Sequence, residues 1–488
     1  MEASVKSYDT NDMIYALATA WGKSAIAVVR VSGDGCIEAL SKAFSNSRRL
    51  RASKTNTAVY GRLVDPKDGL PIDDVVVTVY REGHGYTGEE AVEVSCHGGL
   101  QVVRAVLSLM EGLGFRKALA GEFTLRAFLH GKMDLTKAEA VEELIDSKGR
   151  TGQTMALNRL NGSLFKAISN IKDILVGIMS TIEVQLDYSE DEIGEDLSFP
   201  FQELEKAMAA VGRIKATYNA GRLYSQGARV VLAGPTNAGK SSLFNYFLKE
   251  ERSIVSSVEG TTRDFIEAQC TIDGIPVRLY DTAGFRDLSQ KTVDGDAGGQ
   301  DVIEAQGMKR SRSLLEAADI ILYMVGPDEV GSDGEASEAL YETLNAELVN
   351  DPRCIAVYSK ADLVQNAQGR DSENANGKKH DDCAAVFVSV VTGQGFLDLC
   401  NEISRRLTLD VQVQGDDGLV IESERQKASL ERCQNALGAA MMAAKHDVPL
   451  DIVSMDIQEA IEALGEITGE VTTDDILDRI FGTFCVGK

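Results

Sequence analysis

Up to about residue 110, apolar residues come in short runs broken by turn-forming clusters. SAIAVVRV at 24–31, DDVVVTVY at 73–80 and AVEVSCH at 91–97 are rich in β-branched side chains, with DPKDGLP and REGHG between them. Such runs are expected to be strands. RAVLSLMEGL at 104–113 adds a helix, so the region reads as a small α+β domain. From about residue 134 the period lengthens. Leu157, Leu160, Leu164, Ile168, Ile171, Leu175, Ile178 and Ile182 step by three or four, which predicts one long helix carrying all of them on one face. A stripe of that kind points to packing and carries no chemistry.

A third pattern opens at GARVVLAG, 227–234, where apolar runs alternate with helical stretches: VRLYDTAG at 277–284, DIILYMVG at 319–326, CIAVYSKAD at 354–362 and AVFVSV at 385–390. Strands alternating with helices argue for a mostly parallel, doubly wound α/β sheet. After about 409 the chain turns helical again. Helix on both sides of an α/β block suggests a block inserted into an all-α domain whose flanks pack together. The expected domains are therefore 1–130, 131–222, 223–408 and 409–488, the second and fourth forming one helical body. DLSQKTVDGDAGGQ at 287–300 and QNAQGRDSENANGKKHDD at 365–382 are polar and aperiodic, and read as added loops.

A length of 488 residues fits two to four domains, at roughly 100–200 residues each. Lys plus Arg number 50 against 75 Asp plus Glu, a net charge of −25. That balance opposes non-specific adhesion to phosphate backbones, so contact with nucleic acid needs a local basic patch or a second protein. No run approaches the ~18 apolar residues of a membrane span. The start, MEASVKSYDTND, has no basic segment leading into an apolar one, and the eight cysteines show no CxxC pair or zinc-ligand spacing, so a reducing cytoplasm is expected.

Gly234-Pro-Thr-Asn-Ala-Gly239-Lys240-Ser241 fits G-x-x-x-x-G-K-[ST] between an apolar strand and a helical stretch. Glycines let such a loop wrap so that backbone N–H groups converge on phosphate oxygens, aided by the positive end of the following helix. Lys240 is expected to reach the β/γ-phosphates and the Ser241 hydroxyl to bind Mg²⁺. Thr262, in EGTTRD at 259–264, can add a second hydroxyl to Mg²⁺ when a γ-phosphate is present. Asp281 ends a strand, where it can hold the metal's water shell, and the Gly284 amide can sense the γ-phosphate. In Ser359-Lys360-Ala361-Asp362, the Asp362 carboxylate can accept from two guanine N–H groups that adenine lacks, which favours GTP over ATP. These motifs resemble the translation-factor-related GTPase class, with departures: Ser359 stands where that class usually has Asn, and Ser389-Val390 where it usually has Ser-Ala. The shorter Ser359 is expected to bridge the base loop and the phosphate loop less strongly.

Where Ras-like sites place a water-orienting glutamine, this chain has Phe285. Two residues can substitute. Asn237 can ligate a monovalent cation near the β/γ-phosphates, and Glu304 can position water. By spacing alone, the reading of each as a solvated polar side chain on a surface loop is favoured over the catalytic one.

Stretches along the whole chain resemble the MnmE (TrmE) family of tRNA-modification GTPases: AIAVVRVSG at 25–33, GYTGEEAVEVSCHGG at 85–99, AGEFTLRAFLHGKMDLTKAEAVEELI at 120–145 and LGEITGEVTTDDILDRIFGTFCVGK at 464–488. The resemblance implies a homodimer formed through the N-terminal domain, with an inserted G domain whose GTP hydrolysis is stimulated by K⁺. It places nucleotide contacts at Asn237, Ala238, Gly239, Lys240, Ser241 and Ser242, and at Ser256, Ser257, Val258, Glu259, Gly260, Thr261 and Thr262. Further contacts fall at Asp281, Thr282, Ala283 and Gly284, and at Ser359, Lys360, Ala361, Asp362 and Ser389. Within these, Asn237, Ser256, Val258 and Thr261 match the potassium positions, while Ser241 and Thr262 match Mg²⁺. Glu304 matches the family's water-positioning glutamate, reached here through a longer loop.

By the same resemblance, Arg30, Glu93, Lys132 and Lys488 fall at positions that contact 5-formyltetrahydrofolate or a related one-carbon folate. A FAD-dependent partner of the MnmG (GidA) type is implied, in a heterotetramer that installs an aminomethyl or carboxymethylaminomethyl group at C5 of the wobble uridine of tRNA. Cys485 is given a part in that modification, with its chemical role open. A competing reading is a GTP-gated switch binding RNA or the ribosome, without modification chemistry. It leaves the folate-like positions and the terminal FCVGK unexplained. A P-loop kinase is disfavoured by Asp281-Thr-Ala-Gly and Lys360-x-Asp362.

Overall fold

The computed structural model describes residues 12–187, 198–235, 237–250, 267–281, 313–326, 351–362, 385–408, 419–446 and 448–487. It falls into two compact units, residues 1–145 with 157–212 and 428–488, and residues 146–156 with 213–427. The strands are β1 (Ile14–Leu17), β2 (Ile26–Ser32), β3 (Thr57–Val64), β4 (Pro71–Tyr80), β5 (Ala91–His97), β6 (Arg116–Lys117), β7 (Ala228–Ala233), β8 (Glu267–Ile272), β9 (Ile275–Asp281), β10 (Ile320–Val325), β11 (Cys354–Ser359) and β12 (Ala385–Val388). The helices begin with α1 (Cys36–Ser41), α2 (Ser47–Ala52), α3 (Leu100–Gly112), α4 (Glu122–Leu129), α5 (Leu135–Asp146), α6 (Arg150–Leu160) and α7 (Ser163–Asp187). They continue with α8 (Phe201–Ala216), α9 (Tyr218–Gln226), α10 (Lys240–Glu250), α11 (Phe396–Thr408), α12 (Glu424–Lys445), α13 (Leu450–Thr468) and α14 (Asp474–Phe481).

In the first unit a six-stranded sheet has the order β3-β4-β5-β2-β1-β6. Its pairs are antiparallel except β1 with β6. Because successive side chains on a strand face opposite ways, Val29, Val31, Val77, Val79, Val92 and Val94 share one buried face with Leu109 and Met110 of α3. Arg30, Thr78, Tyr80 and Glu93 are left to the other face, with Arg30 and Thr78 flanking Glu93 in register. The sequence reading found β2, β4, β5 and α3. β1, β3 and β6 add three strands that it did not contain.

The expected single long helix is two helices. α6 ends at Leu160 and α7 starts at Ser163, with Gly162 between them at φ +88°. A left-handed glycine ends a helix at little steric cost, and Leu157 is left exposed. The six stripe residues from Leu164 to Ile182 are all buried on α7. They pack against α13, whose buried face includes Val453, Ile457, Ala460, Ala463 and Ile467. Alanines on that face let the two backbones approach closely. α14 packs on α4 through Leu125 and Phe481, with Phe484 just beyond the helix in the same cluster. Thr473 sits at its N-cap position without a side-chain cap bond.

The second unit carries a sheet of order β12-β11-β10-β7-β9-β8, parallel except for the edge strand β8. β8 is an addition to the sequence reading. β10 is buried along its whole length, as a central strand covered on both faces must be. Beside the sheet, the chain segments before and after its strands are held together. The Ile421 amide donates to Thr217 Oγ1 at 3.1 Å, and Tyr218 is hydrogen-bonded to Glu424. Gly221 lies so close that an added Cβ would meet Ile421 O. The loops at 287–300 and 365–382 fall outside the described residues.

Candidate functional site

The strand order reverses direction about β7, the first strand of its sheet: the chain leaves it for β8 and β9 on one side, then crosses to β10 on the other. Ligands of open α/β sheets lie outside the carboxyl ends of the strands at such a switch point. The glycine-rich loop occupies that place, running from β7 into α10. Its backbone is committed to the turn. Gly234 has φ +129° and an added Cβ would stand 2.5 Å from the Met324 carbonyl oxygen, while Gly239 has φ +92°. Asn237 also lies in the left-handed region, at φ +68°, where asparagine is tolerated better than most side chains.

Lys240 is buried, and its ammonium donates to two carbonyls of its own loop, Gly234 at 2.8 Å and Pro235 at 2.6 Å. The cation thus ties its side chain back to the start of its own loop. The Ser241 hydroxyl donates to Asp281 Oδ2 at 2.9 Å. A hydroxyl and a buried carboxylate brought together by the starts and ends of different elements make a pair of hard oxygen donors, which is the donor set Mg²⁺ takes.

Two further strand ends complete the arrangement. At the end of β11, Ser359 Oγ donates to the Val325 carbonyl at 3.1 Å, tying β11 to β10. An added Cβ on Gly239 would lie 3.4 Å from Ser359 Cβ, so the base-loop serine touches the phosphate loop. Lys360 is left-handed at φ +57°. Ser389, fully buried after β12, donates to Asp362 Oδ1 at 2.6 Å and accepts from the amides of Val391 and Thr392, each at 3.3 Å. Ser389 therefore fixes the direction of the carboxylate. Ser256, Ser257, Val258, Glu259, Gly260, Thr261, Thr262, Thr282, Ala283, Gly284, Glu304 and Lys488 lie outside the described residues.

A second polar site lies on the open face of the first sheet. Arg30 Nε and Nη2 donate to Glu93 Oε1 at 3.0 and 2.9 Å, and the Tyr80 hydroxyl donates to Glu93 Oε2 at 3.3 Å. The Arg30 guanidinium stands 5.2 Å from the Tyr86 ring centre and 5.8 Å from that of Phe123, within cation–π range. Burial, then the neighbouring Glu93 charge, raises the Tyr80 hydroxyl above its ordinary pKa, so it remains a proton donor. Lys132 is exposed and donates to the Gly83 carbonyl at 3.1 Å. Cys485 is exposed at the far end of the chain, and the adjacent Val486 bridges Ala120.

Behind this face is a buried ionic network. Arg126, with no exposed surface, pairs with Asp12 at 2.8 Å, Glu122 at 3.0 Å and Glu89 at 3.2 Å. Glu89 in turn accepts from Ser32 Oγ at 2.6 Å. The network fixes the turn that carries Tyr86 against the strand that carries Arg30.

The family models that match are the MnmE helical domain, over residues 135–485, and the GTP-binding protein TrmE N-terminus, over residues 13–132. The tRNA modification GTPase MnmE of Treponema denticola is 38% identical over 99% of this chain and 100% of its own. That of Borrelia recurrentis is 38% identical over 99% of each chain, and that of Moorella thermoacetica 36% over 98% of this chain and 100% of its own. The chain belongs to the MnmE family of tRNA modification GTPases. Among solved structures, the G domain of the T. maritima FeoB iron transporter is 21% identical, covers 38% of this chain and 99% of that one, and has a TM-score of 0.22, too slight a likeness to bear on the reading.

As a member of the MnmE family, the chain is a GTP-hydrolysing enzyme. Sequence reasoning named Lys240, Ser241, Asp281, Asp362 and Ser389, and the fold brings them to one edge of one sheet. It missed Tyr80, Tyr86, Phe123 and Arg126. Tyr80 was within reach, because it lies two residues from Thr78 on the strand face that Glu93 shares. Tyr86 comes from a turn and Phe123 from a helix, and no periodicity links either to Arg30. No described helix is long and apolar enough to cross a membrane.

Proposed function

We propose that this chain couples K⁺-stimulated GTP hydrolysis to modification of C5 of the wobble uridine of tRNA. In this reading it works as a cytoplasmic homodimer with a FAD-dependent partner of the MnmG type, and its domains are divided at 1–130, 131–222, 223–408 and 409–488. The observation that carries the reading is the convergence of Lys240, the Ser241–Asp281 pair and the Ser389-held Asp362 at one sheet edge.

When nucleotide binds, the Lys240 ammonium exchanges its loop carbonyls for phosphate oxygens, and the loop amides receive the remaining charge. Mg²⁺, when bound, supplies neutralisation of charge on the β- and γ-phosphates. Ser241 would hold it directly, and Asp281 through its water shell. Asp362, aimed by Ser389, accepts from the guanine edge and rejects adenine. Asn237 is assigned to potassium together with Ser256, Val258 and Thr261, Thr262 to Mg²⁺, and Glu304 to orienting water. Arg30 and Glu93 fit a folate, since a guanidinium pairs with its carboxylates and a carboxylate with the donors of a pterin edge. Lys132 and Lys488 are assigned to the same ligand.

Single-turnover GTP hydrolysis in KCl against NaCl at equal ionic strength tests the first half. Faster turnover in KCl is expected, and equal rates would remove the assignment of Asn237. Saturable binding of 5-formyltetrahydrofolate, lost in Glu93→Gln, tests the second. Its absence in the wild-type protein favours a GTP-gated RNA-binding switch without modification chemistry.

A further inference from the structure

Residues 39–64 carry six cations, Lys42, Arg48, Arg49, Arg51, Lys54 and Arg62, and no acid, in a chain whose net charge is −25. The fold gathers this stretch into α2 and its flanks. Lys42 follows α1, Arg48, Arg49 and Arg51 lie on α2, Lys54 comes just after it, and Arg62 is on β3, an edge strand of the first sheet. All six are exposed. Elsewhere in this unit arginines are matched, since Arg30, Arg81, Arg116 and Arg126 each meet a carboxylate. Here Arg51 pairs with Glu38 and Arg62 with Asp74, while among the described residues Lys42, Arg48, Arg49 and Lys54 meet no acid.

Such a helix is poorly supported from within. Arg48 and Arg51 stand one turn apart, where like charges oppose helix formation, and the first turn has no acid to meet the helix dipole. It is held from outside instead. Leu50 is fully buried in the cluster with Leu40, Val59 and Leu63. Just before the helix, the Ser45 amide donates to the Arg62 carbonyl at 2.9 Å, and the Ser45 hydroxyl accepts from the Arg62 amide at 2.8 Å. Asn46 Nδ2 donates to the Tyr60 carbonyl at 3.2 Å. At the other end, Arg81 Nε donates to the Ser53 carbonyl at 3.1 Å. A helix clamped in this way keeps its unpaired cations in fixed places, and their mutual repulsion gains the fold nothing.

We propose that the exposed face of α2 binds the phosphate backbone of tRNA, with Arg48 and Arg49 as its principal contacts and Lys42 and Lys54 beside them. Guanidinium forks match phosphate oxygens two at a time. Each phosphate neutralised also releases condensed counterions, a large share of the affinity of a protein for nucleic acid. An acidic chain repels that backbone over most of its surface, so a local cluster of unpaired cations also selects the side from which RNA approaches. That the polyanion is tRNA rests on the function proposed above, but the clustering of the cations does not.

The test uses the full chain and fluorescein-labelled tRNA, with anisotropy read across a KCl series. Arg48→Gln with Arg49→Gln removes two exposed cations and leaves Leu50 in place. Binding is expected to weaken by roughly ten- to hundredfold at about 0.1 M salt, and the slope of log K against log salt to fall by about two. Arg49→Gln alone should lower the slope by about one, which decides the matter if the double variant does not fold. Lys206→Gln with Arg213→Gln, a matched loss of exposed cations elsewhere, is expected to leave both quantities unchanged. GTP turnover without tRNA, read in parallel, should match wild type in every variant, because α2 carries none of the residues assigned to nucleotide. Weakening by less than about threefold in the α2 variants, or an equal loss in the control, overturns the proposal. Competition by poly-glutamate as strong as by unlabelled tRNA also overturns it, and makes the patch a face for an acidic protein. A wild-type chain that binds no tRNA overturns the proposal together with the tRNA half of the function above, whereas tRNA bound equally by wild type and α2 variant removes the α2 assignment alone.

Discussion

Ser389→Ala is the sharpest test of the proposal that Asp362 reads guanine. Ser389 has no exposed surface, and its hydroxyl gives the 2.6 Å bond to Asp362 while accepting from the amides of Val391 and Thr392. Alanine removes a bond to a charged acceptor, of the kind that contributes about 1.5–3 kcal/mol. The carboxylate then loses the Ser389 bond that directs it toward the two N–H donors. Most of the lost energy should appear in nucleotide binding, because Asp362 regains water as a partner when the site is empty. At 1.4 kcal/mol per tenfold, the expected loss is roughly ten- to hundredfold in GDP and GTP affinity. ATP, which cannot donate that pair of N–H groups, should bind about as weakly as before. Displacement of a fluorescent GDP analogue measures the affinities, and near-ultraviolet circular dichroism checks the fold. An affinity within threefold of wild type in a folded variant would refute the idea that Ser389 aims Asp362.

Gly234→Ala, forced into φ +129° and against Met324 O, should abolish measurable GTP binding while the first unit retains its melting transition. Arg126→Leu removes the buried cation shared by Glu89, Asp12 and Glu122, but Arg116 still pairs with Asp12 and Glu122, so the cost should be about 3 kcal/mol, the low end for breaking a buried pair. Calorimetry should show the N-terminal transition lowered by roughly 10 °C, and an unchanged transition would count against the network as a support. Burial holds the Cys96 thiol up to about 11 and the Cys433 thiol up to about 12. Since the thiolate is the reactive form and its fraction falls as pH drops below the pKa, brief iodoacetamide treatment at pH 8 should modify Cys485 and spare both. Peptide mass spectrometry reads the result.

The candidate nucleotide site was easy to propose because its chemistry is local. A loop of fixed spacing between a strand and a helix announces itself, and Asp281 and Asp362 each close an apolar run, the natural place for a polar side chain on a parallel strand. The doubly wound sheet followed from the same alternation. β8 did not, because EAQCTI mixes polar and apolar residues without the β-branched density of its neighbours. The break between α6 and α7 was hidden for a different reason. Leu157 and Leu160 keep the helical phase across Asn161-Gly162, so period alone carried the stripe through a turn that the glycine's left-handed backbone imposes. The Arg30 face was the least legible, since Tyr86, Phe123 and Gly487 reach it from a turn, a helix and the chain end, joined only by tertiary contact.

Thr217 and Ile421, more than two hundred positions apart in sequence, stand within a single hydrogen bond of each other. Two points so near can be spliced by a very short peptide. The long stretch between them therefore has the character of a removable cassette, one whose loss need leave no gap at the seam. Such a segment can be traded or shortened with little penalty at the stem.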